Sequence, residues 1–207
     1  MRLKTEAKRQ AIIEEAAELF RAVGFERASM AEICARVGGS KATVYNYFSS
    51  KEELFIEVVM QSTEAQFEAV HQSFEEEVED VSLALRRFGE RFLALIYSPE
   101  ILATRHMAIA QAKHSEAGRL IYERGVLRSQ KLIANFLESC MKKGKLRQAD
   151  PMIATLHLVS LLEAEFRDRF LFQLPGDITA EEIAAGTARA VEVFIAAYAP
   201  QQPKPGA

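Results

Sequence analysis

The chain has no tryptophan, only two cysteines and only six prolines among its 207 residues, and each shortage excludes something. Two cysteines make no disulfide framework, and a chain of this length buries enough apolar surface to fold without one. Cys34 and Cys140 read as small buried hydrophobes in a reducing, cytoplasmic compartment. Only Pro99, Pro151 and Pro175 lie in the main body, and ten glycines are too few for the turns of an all-β fold. No apolar run approaches the roughly 18 residues of a membrane span. Charges interrupt the opening MRLKTEAKRQAIIEEAAELF too often for a signal peptide, so no membrane partner is expected. An excess of one charge is missing too. Lys and Arg total 26 against 29 Asp and Glu, net −3, which excludes a uniformly basic nucleic-acid coat. Catalytic patterns are also lacking: no GxSxG elbow, no phosphate-cradling glycine loop, no carboxylate pair outside charged helix faces. His71, His106, His114 and His157 have no spacing that puts two ligands on one helix face. No catalytic residue, metal or cofactor is expected.

What is present is an apolar period near 3.6, broken where helix caps belong. Ile12, Ile13, Ala16, Leu19, Phe20 and Val23 form one stripe that stops at Gly24. Ser29 and Glu32 make a capping box ahead of Met30, Ile33, Cys34 and Val37, and Gly38-Gly39 ends that short helix. Ser40 caps a second short helix, KATVYNYF, and Ser50 with Glu53 opens a helix running to about Phe74. The acidic stretch EEEVED separates this from a helix holding Leu85, Phe88, Phe92 and Ile96. Ser98-Pro99 and Asp150-Pro151 read as N-cap followed by proline at the first helical position. Between them lie a helix over 101–112 and a long one over 116–143. The helix over 150–172 is apolar on nearly all sides, and Thr179 with Glu182 caps the last, which runs to Tyr198. The expectation is an all-α protein of about nine helices with a flexible tail at 201–207.

Two short helices joined by a glycine turn, the second polar and aromatic, make the pattern of a helix-turn-helix. Val44 and Phe48, four apart, can face the core with Ile33 and Val37. That leaves Lys41, Thr43, Tyr45, Asn46 and Tyr47 largely outward, as donors to phosphate oxygens or base edges. Between Arg27 and Lys51 there are four cations and one anion, Glu32, so an acidic chain carries a small basic face.

Residues 24–59, GFERASMAEICARVGGSKATVYNYFSSKEELFIEVV, resemble the DNA-binding domain of TetR-family transcriptional regulators. The glycine–aromatic pair, the capped second helix, the G-S-K turn, the T-x-Y-x-Y-F helix and the S-K-E-E-L-F start all match. The resemblance implies DNA contacts from Ser29, Met30, Ser40, Lys41, Ala42, Thr43, Tyr45, Asn46 and Tyr47, with Lys51 on a phosphate. Gly39 and Cys34 depart from the residues commoner at those places. FGERFLALIYSPE, YERG, the Asp-Pro helix and FIAAYAP resemble, in order, the AefR-like C-terminal domain of some such regulators. The implied organisation is a three-helix DNA-binding domain over 1–50 and a ligand-binding and dimerisation domain over 51–200.

The implied function is a ligand-responsive repressor, released from a palindromic operator in double-stranded DNA by a small hydrophobic inducer. The alternative is a DNA-independent dimeric small-molecule-binding or adaptor protein. An apolar pocket is expected from Phe88, Phe92, Met107, Tyr122 and Phe166, with His106 or His157 holding a polar end. The homodimer is expected to form through Leu158, Leu162, Ile183, Thr187, Val191, Phe194 and Tyr198, on two helices apolar enough for a four-helix interface.

Overall fold

The caps seen in the sequence become the starts of helices. A computed structural model describes residues 5–38, 40–74, 79–113 and 116–200. Gly39, residues 75–78 of the acidic stretch, His114 and the tail at 201–207 lie outside the described residues. The helices are α1 (Glu6–Val23), α2 (Met30–Val37), α3 (Lys41–Tyr45), α4 (Lys51–His71), α5 (Val81–Ile96) and α6 (Pro99–Gln111). They continue as α7 (Ala117–Ile121), α8 (Leu127–Lys142), α9 (Pro151–Glu163), α10 (Arg167–Leu171) and α11 (Ala180–Tyr198). A π-helical turn, Tyr122–Val126, joins α7 to α8 in one run, and α10 follows α9 after a short turn. With α7 and α8 taken as one run, the described residues hold ten helices and no strand, close to the nine expected. The extra one arises because a turn at 164–166 divides the expected helix over 150–172 into α9 and α10.

The side chains that start these helices do what their chemistry allows. Thr179 Oγ1 accepts from the Glu182 N–H while Glu182 reaches back to the Thr179 N–H, a complete capping box. Asp150 accepts from the N–H groups of Met152 and Ile153, with Pro151 at the first helical position.

The described chain falls into two compact units, Met1–Glu64 with Ala103–Gly125, and Ala65–Leu102 with Val126–Ala207. The first unit holds the expected reading head over 1–50 but also 51–64 and 103–125, which were expected in the domain over 51–200. Residues 51–64 of α4 and residues 103–125 pack with the head instead of leaving a boundary at residue 50. Its core is the α1 stripe of Ile12, Ile13, Ala16, Leu19 and Phe20, packed with Ile33, Cys34, Val44, Phe48 and Leu54.

In the second unit α5, α8, α9 and α11 enclose Leu85, Phe88, Leu93, Ile133, Leu137, Leu158, Val191 and Phe194. Gly89 lets three of these helices meet. A Cβ there would lie 2.7 Å from both Leu162 Cδ2 and Thr187 Cγ2, so any side chain would displace those methyl groups or push α5 away from α9 and α11.

The burial on α9 and α11 corrects the expected dimer face. Leu158, Leu162, Ile183, Thr187, Val191, Phe194 and Tyr198 are all buried within a single protomer, in the core or beside it. An apolar stripe shows that a face is covered; it does not show whether the same chain or another copy covers it. The large apolar side chains these two helices leave exposed are Ile153, Leu156 and Val193.

Candidate nucleic-acid interface

The α2–turn–α3 segment is built from its caps. Ser29 Oγ accepts from the Glu32 N–H at 3.2 Å, starting α2. Gly38 ends it in the left-handed region at φ 66°, with its N–H on the carbonyls of Cys34 and Ala35, a conformation that favours glycine. Lys8 Nζ donates to the Val37 carbonyl at 3.1 Å and ties that end to α1. Ser40 Oγ accepts from the Thr43 N–H at 3.2 Å and pairs with the Thr43 hydroxyl at 3.0 Å, so Ser40 starts α3 and holds Thr43. Glu53 accepts from both the N–H and the hydroxyl of Ser49, at 2.6 and 2.7 Å, fixing the entry to α4.

α3 ends at Tyr45, three residues short of the expected KATVYNYF, yet the orientation of residues 41–48 still follows the period. Val44 and Phe48 are buried with Ile33, as expected, and Val37 packs partly buried against the same core. Lys41, Ala42, Tyr45 and Asn46 are exposed, and Thr43 and Tyr47 are half-buried. Tyr45, a large aromatic, stands 49% exposed beside a lysine and an asparagine. The Tyr47 hydroxyl accepts from the Thr5 N–H at 2.8 Å, linking the end of α3 to the start of α1. Tyr45, Asn46, Tyr47 and Ser49 also line a cavity of about 250 Å³ with Glu53, Glu116, Arg119 and Leu120.

Two expected contacts look different in place. Met30 is buried at the start of α2 and belongs to the core. Lys51, expected on a phosphate, turns inward. Its Nζ donates to the carbonyls of Phe25 at 2.8 Å and Ala28 at 3.1 Å, approaches that of Glu26 at 3.5 Å, and lies 4.2 Å from the centroid of the Phe25 ring. The loop between α1 and α2 exposes carbonyls with no helical partner, and an ammonium within reach satisfies several at once.

The first unit also holds a group that sequence reasoning passed over. Glu57 on α4 is buried, yet Arg124 from the π-helical turn grips its carboxylate with two nitrogens and Arg9 from α1 reaches it at 2.8 Å. Burial alone would push its carboxyl up, but the bonds from Arg124 and Arg9 outweigh that and hold it below the usual carboxylate range. Residues 9, 57 and 124 share no local pattern; Glu57 merely looks polar amid IEVV.

The expected ligand residues divide between the units. Phe88, Phe92, Phe166 and His157 are in the second; His106, Met107 and Tyr122 are in the first. Phe88 and Phe92 stack at 5.3 Å in an aromatic group with Phe74, Phe136 and His71. Phe166 packs instead on Tyr97, His157 bonds the Tyr198 hydroxyl at 2.6 Å, and Tyr122 is half exposed. His71, not expected at this site, lies buried in the Phe88 group. Its Nδ1 meets the Phe67 carbonyl and its Nε2 the Ser129 hydroxyl at 3.0 Å, and burial pulls its pKa below the ordinary value.

Residues 12–58 match the family described as bacterial regulatory proteins, tetR family, and residues 83–200 match the AefR-like transcriptional repressor C-terminal domain. The chain belongs to the TetR family. Among TetR-family relatives, the HTH-type transcriptional regulator UidR of Escherichia coli K12 is 34% identical over 128 residues, covering 53% of this chain and 65% of UidR. The chain thus spans just under two-thirds of that relative's length. A TetR-family regulator of solved structure from Mesorhizobium loti, itself described as putative, superposes with a TM-score of 0.78 at 28% identity, over 95% of this chain and all of the other. The Flavonoid-responsive Regulator FrrA superposes with a TM-score of 0.69 at 28% identity, over 96% of this chain and all of FrrA. Among the described residues no helix is long and apolar enough to cross a membrane.

Proposed function

We propose that this chain is a homodimeric, ligand-responsive repressor that binds a palindromic operator through α3 and is released by a small hydrophobic molecule. The observation that carries the DNA-binding reading is the division of α3. Val44 and Phe48 anchor it, while Lys41, Tyr45 and Asn46 are exposed, flanked by half-buried Thr43 and Tyr47. Lys41 and the tyrosine hydroxyls suit phosphates; Asn46 and Thr43 suit base edges. Lys51 acts one step back, holding the α1–α2 loop from which Ser29 starts α2.

A two-fold dimer supports this by placing two reading helices about one turn of DNA apart. Ile153, Leu156 and Val193 are its candidate contacts. For the inducer, the aromatic side chains grouped around Phe88 and Phe92 have the chemistry that suits a flat aromatic molecule. FrrA, responsive to flavonoids by name, supports the same class.

Selection from random duplex DNA tests the reading, followed by release of the selected duplex with a panel of flavonoids, sugars and metal ions. The expected result is a two-fold symmetric site, bound in a salt-dependent way and released by the flat aromatics. No salt-dependent affinity for any duplex overturns the DNA-binding reading. Release by sugars or metal ions alone overturns the inducer class.

A further inference from the structure

Between α10 and α11 the chain makes a short hook whose tip is apolar. Phe172 is 72% exposed, and Leu171 and Leu174 beside it are half exposed. Such side chains on a loose surface loop would mean little, but this hook is fastened. Arg169 donates to the Glu182 carboxylate at 2.9 Å and to the carbonyls of Gly176 and Asp177 at 3.3 and 3.0 Å. The Leu174 N–H returns to the Arg169 carbonyl at 3.0 Å, and Gln173 sits in the left-handed region at φ 48°. Beneath it, Phe166 packs so close to Gly186 that a Cβ there would lie 2.9 Å from the ring. An apolar tip held in a strained turn is ordered before any partner arrives.

We propose that Leu171, Phe172 and Leu174 dock on a second copy of this chain and complete the face carried by α9 and α11; this rests on the homodimer reading. Two observations select that occupant. α10 and the hook join α9 to α11, and among the described residues six of the twelve exposed large hydrophobic side chains fall on α9, α11 and this connection: Ile153, Leu156, Leu171, Phe172, Leu174 and Val193. Area is the second. Three half-exposed aliphatic side chains on the helices fall well short of the roughly 800 Å² that each partner buries in a stable interface. Ala185, Ala196 and Ala197 are also exposed on α11 and let a second backbone approach. The hook adds the large apolar anchors that the helices lack, and in a two-fold contact each copy contributes one.

The test is sedimentation of the full chain from nanomolar to micromolar concentration, comparing wild type with Phe172→Glu, Phe172→Ser and Val193→Asp. Ile109→Glu, also exposed but in the other unit, is the control. Phe172→Glu should raise the dimer dissociation constant by at least about tenfold, as loss of an anchor does. Phe172→Ser should raise it less, and Ile109→Glu should leave it unchanged. A wild-type dimer that both Phe172 variants match within about twofold, while Val193→Asp is monomeric, overturns the hook and leaves the dimer reading standing. A wild type monomeric at micromolar concentration overturns both. Hydrogen exchange at 171–174 is the second readout, should Phe172→Glu misfold. Protection that rises with wild-type concentration supports the hook, and protection independent of concentration overturns it.

Discussion

Replacing Lys51 by methionine separates two roles that the residue type alone leaves indistinguishable. Methionine keeps most of the stem and removes the ammonium, so the carbonyls of Phe25 and Ala28 lose donors at 2.8 and 3.1 Å and the Phe25 ring loses a cation at 4.2 Å. Charged hydrogen bonds contribute about 1.5–3 kcal/mol each when buried. Lys51 is half-buried and water can take over part of the loss, so a total near 2 kcal/mol is the reasonable sum. For a chain of this size that corresponds to a fall of roughly 4–8 °C in Tm. DNA affinity should fall too, because the loop leading into α2 is loosened. Its dependence on log salt should keep the wild-type slope, since no phosphate contact is lost. A phosphate contact behaves otherwise: Tm is unchanged and the slope falls by about 0.9. Thermal unfolding and a salt titration of the same duplex decide it. A variant that melts like wild type and shows the shallower slope refutes the loop-holding role.

Two further outcomes follow from the packing. Glu57→Gln removes the charge that Arg9 and Arg124 share. Because both arginines are partly exposed, the loss should be about 1–3 kcal/mol rather than the full cost of breaking a buried pair. The carboxyl is held low in the folded state, so its stabilisation is complete above the ordinary glutamate range near 4.3 and fades as pH falls through the folded value. Wild type should therefore lose stability on that acid limb faster than Glu57→Gln, and parallel acid limbs would refute the assignment. Gly89→Ala should lower stability by about 1–2 kcal/mol despite the better helix propensity of alanine, because its Cβ meets Leu162 and Thr187 at 2.7 Å. A Tm at or above wild type would show that α5 has room to shift.

Local signals carried most of the fold. Ser29, Ser40, Asp150 and Thr179 each start a helix through their own side chains, and the Val44/Phe48 spacing alone told which side of α3 is outward. What stayed hidden depends on residues far apart in sequence. Lys51 reads as a surface cation until the carbonyls of residues 25–28 are brought over it. The stripe on α11 reads as an interface until α5 and α9 are seen to cover it. The aromatic positions were legible as apolar, but their grouping was not: Phe88 pairs with Phe74 and His71, while Phe166 goes to Tyr97.

The grip of Arg9 and Arg124 on Glu57 bears on how this protein can be cut and recombined. A fragment ending at residue 50 would lack Glu57, and one ending at residue 64 would keep Glu57 and Arg9 but leave Arg124 behind. A chimera that joins this reading head to the sensor half of another regulator meets the same constraint at a distance. The donor of residues 103–125 must present a guanidinium at the place of Arg124, or the graft inherits a half-matched carboxylate inside its first core. The portable module is thus discontinuous, two stretches of chain that have to travel together.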